Sequence, residues 1–339
     1  MKATLKSVAQ EVGVSVTTVS RVLNNKPCRV SEETRENIMR AVVNQHYMPN
    51  QTARSLKTQQ SFTFGFLVPD ISNAFYSELA RSVEEAAYQC GYHLLLGNSN
   101  SQSERDYEYL QLFAERSVDA VIMIPSASFD SDSARLHEMI REYNVPVVVI
   151  DRFIHSDEVY NINIDHALGS YLAARHLLSL GHNRIGLGTG PQTLIIGQQR
   201  LAGYQRALEE FGIPYDPELV VEDSFDIPSG AAALQKFLAH KATAICCSND
   251  MMALGVYQEC ARFNLHLPED LSVVGFDNID MTDVMTPPLT SVALPVEEMA
   301  HTAVEIAIRL SQGAQVEERQ RIFKPNLVIR RSTSYLRQP

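Results

Sequence analysis

Two groups of side chains in this chain have types and spacing suited to chemistry with a partner. The first lies in the opening thirty-five residues. Val16, Thr17 and Arg21 fall on the outward side of a short helical pattern. Short apolar groups there can meet a thymine methyl, and arginine can hold guanine through two donors. Around them Lys6, Ser15, Asn25, Arg29 and Arg35 suit phosphate oxygens, contacts that add salt-sensitive affinity without reading sequence. The second group stands just after apolar runs: Asp70, Asn73 and Phe75, then Asp151 and Arg152, then Asn249, Asp250 and Asp277. Carboxylates and amides exchange hydrogen bonds with hydroxyls while an aromatic ring covers the apolar face of a pyranose, so the mix suits a small polyol. Phe225 is a further candidate wall, although core packing explains it equally well. Asp and Asn after strands are also favoured simply as turn formers, and on spacing alone that reading of each residue stays open.

The elements needed to position these groups are legible in the pattern. Thr4 can cap a helix with Leu5, Val8, Ala9 and Val12 on one face, and Gly13 can stop it. Ser15 caps a second helix whose Val19, Val22 and Leu23 turn inward, and Ser31 caps a third with Ile38, Val42 and Val43 as core positions. Two short helices joined by a tight turn form a helix-turn-helix, whose second member can enter a major groove. A protein-binding three-helix bundle with a solvated basic face is the competing reading. Asn50 can then cap one more helix, too short to be stable alone, so contact with DNA and a twin copy must order it. Ala53 and Leu56 would face that copy and the minor groove, and Arg54 would meet phosphate.

From Phe62 onward apolar runs alternate with helical stretches, the βα rhythm of parallel sheets buried on both faces. The rhythm occurs twice, before and after Tyr160. It ends in LTSVAL, a helix from Val296 and one closing strand, IFKPNLVIRRS.

Charge separates the same two parts. The 339 residues hold 29 Lys/Arg and 40 Asp/Glu, yet residues 1–60 hold nine basic and four acidic groups, leaving 20 and 36 for the rest. The average hides a basic module on an acidic body. The start, MKATLKSVAQEVGVS, lacks an apolar export segment and no run is long enough to span a bilayer, so a cytoplasmic protein is expected. Five irregularly placed cysteines suggest reduced thiols, and Cys246 and Cys247 read as buried hydrophobes rather than metal ligands with His240. GxSxG, P-loop, HExxH and GxGxxG motifs are missing, and GLGTG at 186–190 fails the spacing. Asp250 and Asp277 can be imagined as a glycosidase pair, but nothing marks either as an acid. Binding rather than catalysis is expected, with no cofactor or metal.

VAQEVGVSVTTVSRVLNN, RVSEETRENIMRAV and YMPNQTARSL resemble the headpiece and hinge helix of the LacI/GalR family of bacterial transcription regulators. LSVVGFDNIDMTDVMTPPLTSV and HLLSLGHNRIG extend the resemblance to nearly the full chain. It implies an all-α helix-turn-helix headpiece plus two Rossmann-like α/β lobes of the type I periplasmic-binding-protein kind, joined by three crossovers. It also implies a homodimer on a pseudo-palindromic operator, Leu56 entering the minor groove, and base-reading roles for Val16 and Thr17. A small effector, most naturally a carbohydrate, would bind between the lobes, with Arg200 and Asp277 matching the family's effector ligands; a nucleobase or sugar phosphate is the alternative. Expected boundaries are 1–48 for the headpiece, 49–60 for the hinge, 61–160 plus 293–320 for the first lobe, and 161–292 plus 321–331 for the second. One departure concerns the loop before Arg200, where Leu194, Ile195 and Ile196 replace the polar residues common in the family. They imply an apolar patch on the effector, with Ile196 as its contact, or else a dimer surface or closing lid.

Overall fold

A computed structural model describes residues 3–23, 27–47, 60–127 and 134–336. Asn25, Asn50, Ala53, Arg54 and Leu56, and with them the expected hinge helix, lie outside the described residues. The chain divides into two compact units, Met1–Ser61 and Phe62–Pro339.

The first unit contains α1 (Leu5–Val12), α2 (Val16–Leu23) and α3 (Glu32–Asn44). Each start is capped as its sequence demands. Ser7 N–H donates to Thr4 Oγ1 at 3.1 Å while Thr4 N–H donates to Ser7 Oγ at 3.0 Å, a reciprocal box that satisfies two donors at the helix start. Thr18 N–H donates to Ser15 Oγ at 3.0 Å, and Thr34 N–H to Ser31 Oγ at 3.2 Å. Gly13 ends α1 at φ 72°, a conformation glycine adopts without strain. Val8, Ala9, Val19, Val22, Ile38 and Ala41 form the buried centre. Val43, expected there, is 66% exposed, because five residues beyond Ile38 it stands about 140° round the helix.

The second unit alternates strand and helix. Its first series is β1 (Thr63–Val68), α4 (Ala74–Gln89), β2 (His93–Asn98), α5 (Ser103–Glu115), β3 (Ala120–Met123), α6 (Ala134–Tyr143), β4 (Val147–Ile150) and β5 (Val159–Ile164). The second is α7 (His166–Ser179), β6 (Ile185–Gly188), α8 (Ile195–Glu210), β7 (Val220–Val221), α9 (Ile227–Ala239), β8 (Ala244–Cys246), α10 (Asp250–Arg262), β9 (Ser272–Asp277) and β10 (Thr290–Ala293). Then come α11 (Val296–Ser311), β11 (Gln320–Phe323) and β12 (Asn326–Val328). The first sheet has the order β11-β5-β4-β3-β1-β2 and is parallel throughout. The second has the order β12-β10-β9-β8-β6-β7, with β12 alone antiparallel. α11 packs on α4, β3 and β4, so the chain crosses between the sheets after β5, after β10 and after β11.

Three expectations need correction. The lobe boundaries at 160 and 320 move, because β5 runs to Ile164 within the first sheet and β11 pairs beside it. The single closing strand is two, split at Lys324–Pro325, since proline lacks the N–H a ladder needs. The apolar stretch before Arg200 is not all loop: α8 begins at Ile195, which leaves Ile195 exposed and Ile196 buried in the helix.

Candidate functional site

On α2 the buried Val19 and Val22 face α1 and α3, leaving Val16, Thr17 and Arg21 exposed on the other side. Lys6 and Arg29 are exposed as well, and Arg35 is partly so. Ser15 is exposed, but its hydroxyl is committed to the Thr18 N–H and Oγ1. Gln45 ties α3 to α1 by bonds to Ser7 and Glu11. A rigid helix thus presents short apolar groups and a guanidinium to solvent, the surface that base reading requires.

In the second unit the strand ends meet in a cleft between the two sheets. β4 delivers Asp151, whose φ of +68° turns its buried carboxylate toward α7, where His166 Nε2 lies 3.1 Å from Oδ1. Burial would raise the Asp151 pKa, but the His166 bond and the charges of Arg152 and Arg200 together hold it below the usual carboxylate range. Arg152 donates from Nη1 to the Pro125 carbonyl and from Nη2 to Tyr76 OH at 3.3 Å. The Pro125 turn is itself anchored, since Ser126 donates its N–H at 2.9 Å and its hydroxyl to the fully buried Asp106.

The second sheet supplies the facing wall. Arg200, a turn and a half into α8, is 5% exposed, with its guanidinium carbon 4.5 Å from the Phe276 ring centre and 5.2 Å from that of Phe225. Its Nε and Nη1 are buried without a partner, an expensive arrangement that a ligand's oxygens would relieve. Phe225 has φ +63° and is aimed by Asp223, which accepts from Phe225 N–H at 2.9 Å, Ser248 Oγ at 2.7 Å and Gly190 N–H at 3.1 Å. The ring lies against Gly190, where a Cβ would fall 2.1 Å from Phe225 Cζ. Asp277 ends β9 at φ +99° and keeps part of its surface open. Burial, then the nearby Asp250 charge, pushes its carboxyl well above the usual range despite Arg200. Asp151, Phe225 and Asp277 each hold a positive φ, a conformation that costs a non-glycine residue energy. Glu78 on α4 bridges the lobes, accepting Asp280 N–H at 2.9 Å.

The structure therefore brings Asp151, Arg152, Arg200, Phe225 and Asp277 together. The remaining sequence candidates are engaged in local caps, turns or the core. Asp70 accepts from Ser72 N–H and Oγ at 2.9 and 2.8 Å, and Asn73 caps α4 by accepting Phe75 N–H at 3.0 Å. Phe75 is a core residue, as is Ile196 within α8. Asn249 caps α10 through Met252 N–H at 2.8 Å and holds the Phe225 carbonyl at 3.0 Å. Asp250 takes Ser291 Oγ at 2.6 Å and Ile279 N–H at 2.9 Å, and burial pushes its pKa up to about 7. Asn249 and Asp250 therefore have both of their polar side-chain atoms taken by partners within the protein. Tyr76, Glu78, His166 and Phe276 were not among the candidates. His166 follows β5, and inspection of the residues after that strand would have found it.

Among the described residues no helix is long and apolar enough to cross a membrane. Residues 4–50 match the family model for bacterial regulatory proteins of the lacI family, and residues 174–333 match a periplasmic binding protein-like domain. The HTH-type transcriptional regulator DegA of Bacillus subtilis (strain 168) is 34% identical over 99% of both chains. The lac repressor dimer bound to operator and the anti-inducer ONPF superimposes with a TM-score of 0.84 at 28% identity, covering 98% of this chain and 100% of that one. The transcriptional regulator CelR in complex with cellobiose gives 0.72 at 29%, covering 97% and 99%. The expected family and the headpiece-plus-two-lobe fold are borne out. A basic helix-turn-helix module, a two-sheet body with a polar cleft and this likeness over the whole length have one consistent meaning: the chain belongs to the LacI family and is a DNA-binding transcriptional regulator.

Proposed function

We propose that the protein is a cytoplasmic repressor that binds a pseudo-palindromic operator as a homodimer and changes its operator affinity when a sugar or sugar derivative binds between the lobes. The observation that carries this reading is Arg200, a buried guanidinium set between two aromatic rings with two nitrogens lacking acceptors. Its donors suit ligand oxygens, and the Phe225 ring beside them suits the apolar face of a pyranose. Asp151, Asp277 and the unpartnered Nε of Arg152 complete a set of donors and acceptors contributed by both lobes, so one small molecule can draw the lobes together. Because operator affinity responds only to unequal effector affinity for two states, the ligand must favour one lobe arrangement over the other.

The cleft holds its ligand without transforming it. Asp250, the nearest partner for an acid and base pair with Asp277, is committed to Ser291 and Ile279. At the DNA, Val16, Thr17 and Arg21 read bases while Lys6, Arg29 and Arg35 meet phosphates. The test is operator binding by the full chain with and without a panel of mono- and disaccharides, sugar phosphates and nucleobases. A sugar that shifts affinity at least tenfold is expected, and ligands that bind yet never change operator affinity would refute the coupling.

A further inference from the structure

Asn161 and Asn163 hide β5, and with it His166, from strand-end reasoning, yet His166 joins the two lobes through Asp151. It is 2% exposed, opens α7 beside the second sheet, and meets Asp151 from the first through Nε2. Its ring stacks on Phe276 with centres 5.7 Å apart, the same ring that carries the Arg200 guanidinium. The ionised Asp151 can only accept, so Nε2 must carry the proton of that bond. The other ring nitrogen, Nδ1, is buried with no partner. Burial, opposed by Asp151 and reinforced by the Arg200 charge, lowers the imidazole's pKa and keeps it neutral, which leaves Nδ1 as a bare lone pair. Arg200 therefore brings unpaired donors and His166 an unpaired acceptor to one aromatic platform.

We propose that His166 is a specificity-determining residue: its Nδ1 accepts a hydrogen bond from a ligand hydroxyl whose neighbouring oxygen is held by Arg200, so that the cleft selects molecules with adjacent hydroxyls. The inference rests on the reading of the cleft as the effector site. A hydroxyl both donates and accepts, and two on adjacent carbons can satisfy Nδ1 and the guanidinium together. A carboxylate or phosphate offers only acceptors, and placed against Nδ1 it would face a lone pair with the charge of Asp151 behind it. An unmet buried acceptor discriminates strongly against ligands lacking the matching donor.

The test is calorimetric titration of the full chain with ribose, glucose and cellobiose, repeated on variants of His166 and Arg200. His166→Gln keeps a donor for Asp151 but removes the acceptor, and is expected to weaken binding at least tenfold. His166→Asn, which returns an acceptor near Nδ1, should stay within about threefold of the parent chain. Operator binding without ligand reports that each variant is folded. A panel in which no sugar binds overturns the proposal. Unchanged binding in His166→Gln together with loss in Arg200→Met overturns the role of His166 and leaves the effector site standing, whereas unchanged binding in both variants removes the cleft reading itself.

Discussion

In the first unit the side chains assigned to recognition, Val16, Thr17 and Arg21, stand on the surface of a bundle whose centre is Val8, Ala9, Val19, Val22, Ile38 and Ala41. In the cleft the groups proposed to meet a ligand are themselves buried: Arg152, Arg200, Asp151 and His166. The difference decides how each surface works. Exposed cations act through water, reach far and are weakened by salt, and their strength lies in number. Buried groups escape screening, but each must be matched by a specific partner, and burial shifts their proton affinities, as at His166 and Asp277. A long polyanion suits the first arrangement, and a molecule small enough to be enclosed suits the second.

Salt should separate the two surfaces most widely. If about six to ten phosphates are contacted, operator affinity should fall roughly 10³- to 10⁵-fold between about 50 and 200 mM salt. Ligand binding in the cleft, followed by calorimetry over the same range, should change less than about threefold, and an equal dependence would break the contrast. Next in size is the headpiece core. Ile38→Ala should cost about 2–5 kcal/mol, a large share of what so small a module can hold. Calorimetry should then show an early headpiece transition with the second unit unaffected.

A pH effect should follow from Asp250. Its folded pKa of about 7 lies above the unfolded value of about 3.9. The folded state therefore binds more protons between those values. The contribution is favourable at low pH and is lost as pH rises toward 7, by at most about 1.4 kcal/mol per unit. Urea midpoints at pH 5 and 7 should show this slope in the parent chain and a smaller one in Asp250→Asn. Smallest is Ser15→Ala, which should cost about 1 kcal/mol by removing the α2 cap, with Ser15→Asp recovering most of it.

Sequence reading recovered the headpiece helices because caps and apolar faces are short-range: Thr4 with Ser7, Ser15 with Thr18, Ser31 with Thr34. It missed β5 because Asn161 and Asn163 interrupt the apolar run. Asn161 is tolerated there because its side chain bonds both backbone groups of Ile154 at 3.0 Å. With that strand went His166, the residue at its end. The strand-end rule did place Asp151, Arg152 and Asp277 in the cleft, while Arg200 came from family likeness, since an arginine inside a helical run carries no signal of its own. Asn249 and Asp250 stand where the rule predicts, yet their polar atoms are taken by protein partners.

Local pattern and composition were enough to establish a basic helix-turn-helix module and an acidic body of alternating strands and helices, and to point to the strand ends as the place to expect a ligand site. Those features depend on contacts a few residues apart and on periodicity. Which polar groups remain free for a ligand was settled only by the fold. Tyr76 meets Arg152 across 76 residues and Glu78 meets Asp280 across 202, and Arg200 is left with bare nitrogens because Phe225 and Phe276 surround it. Whether a buried donor or acceptor is satisfied depends on neighbours that chain proximity does not supply.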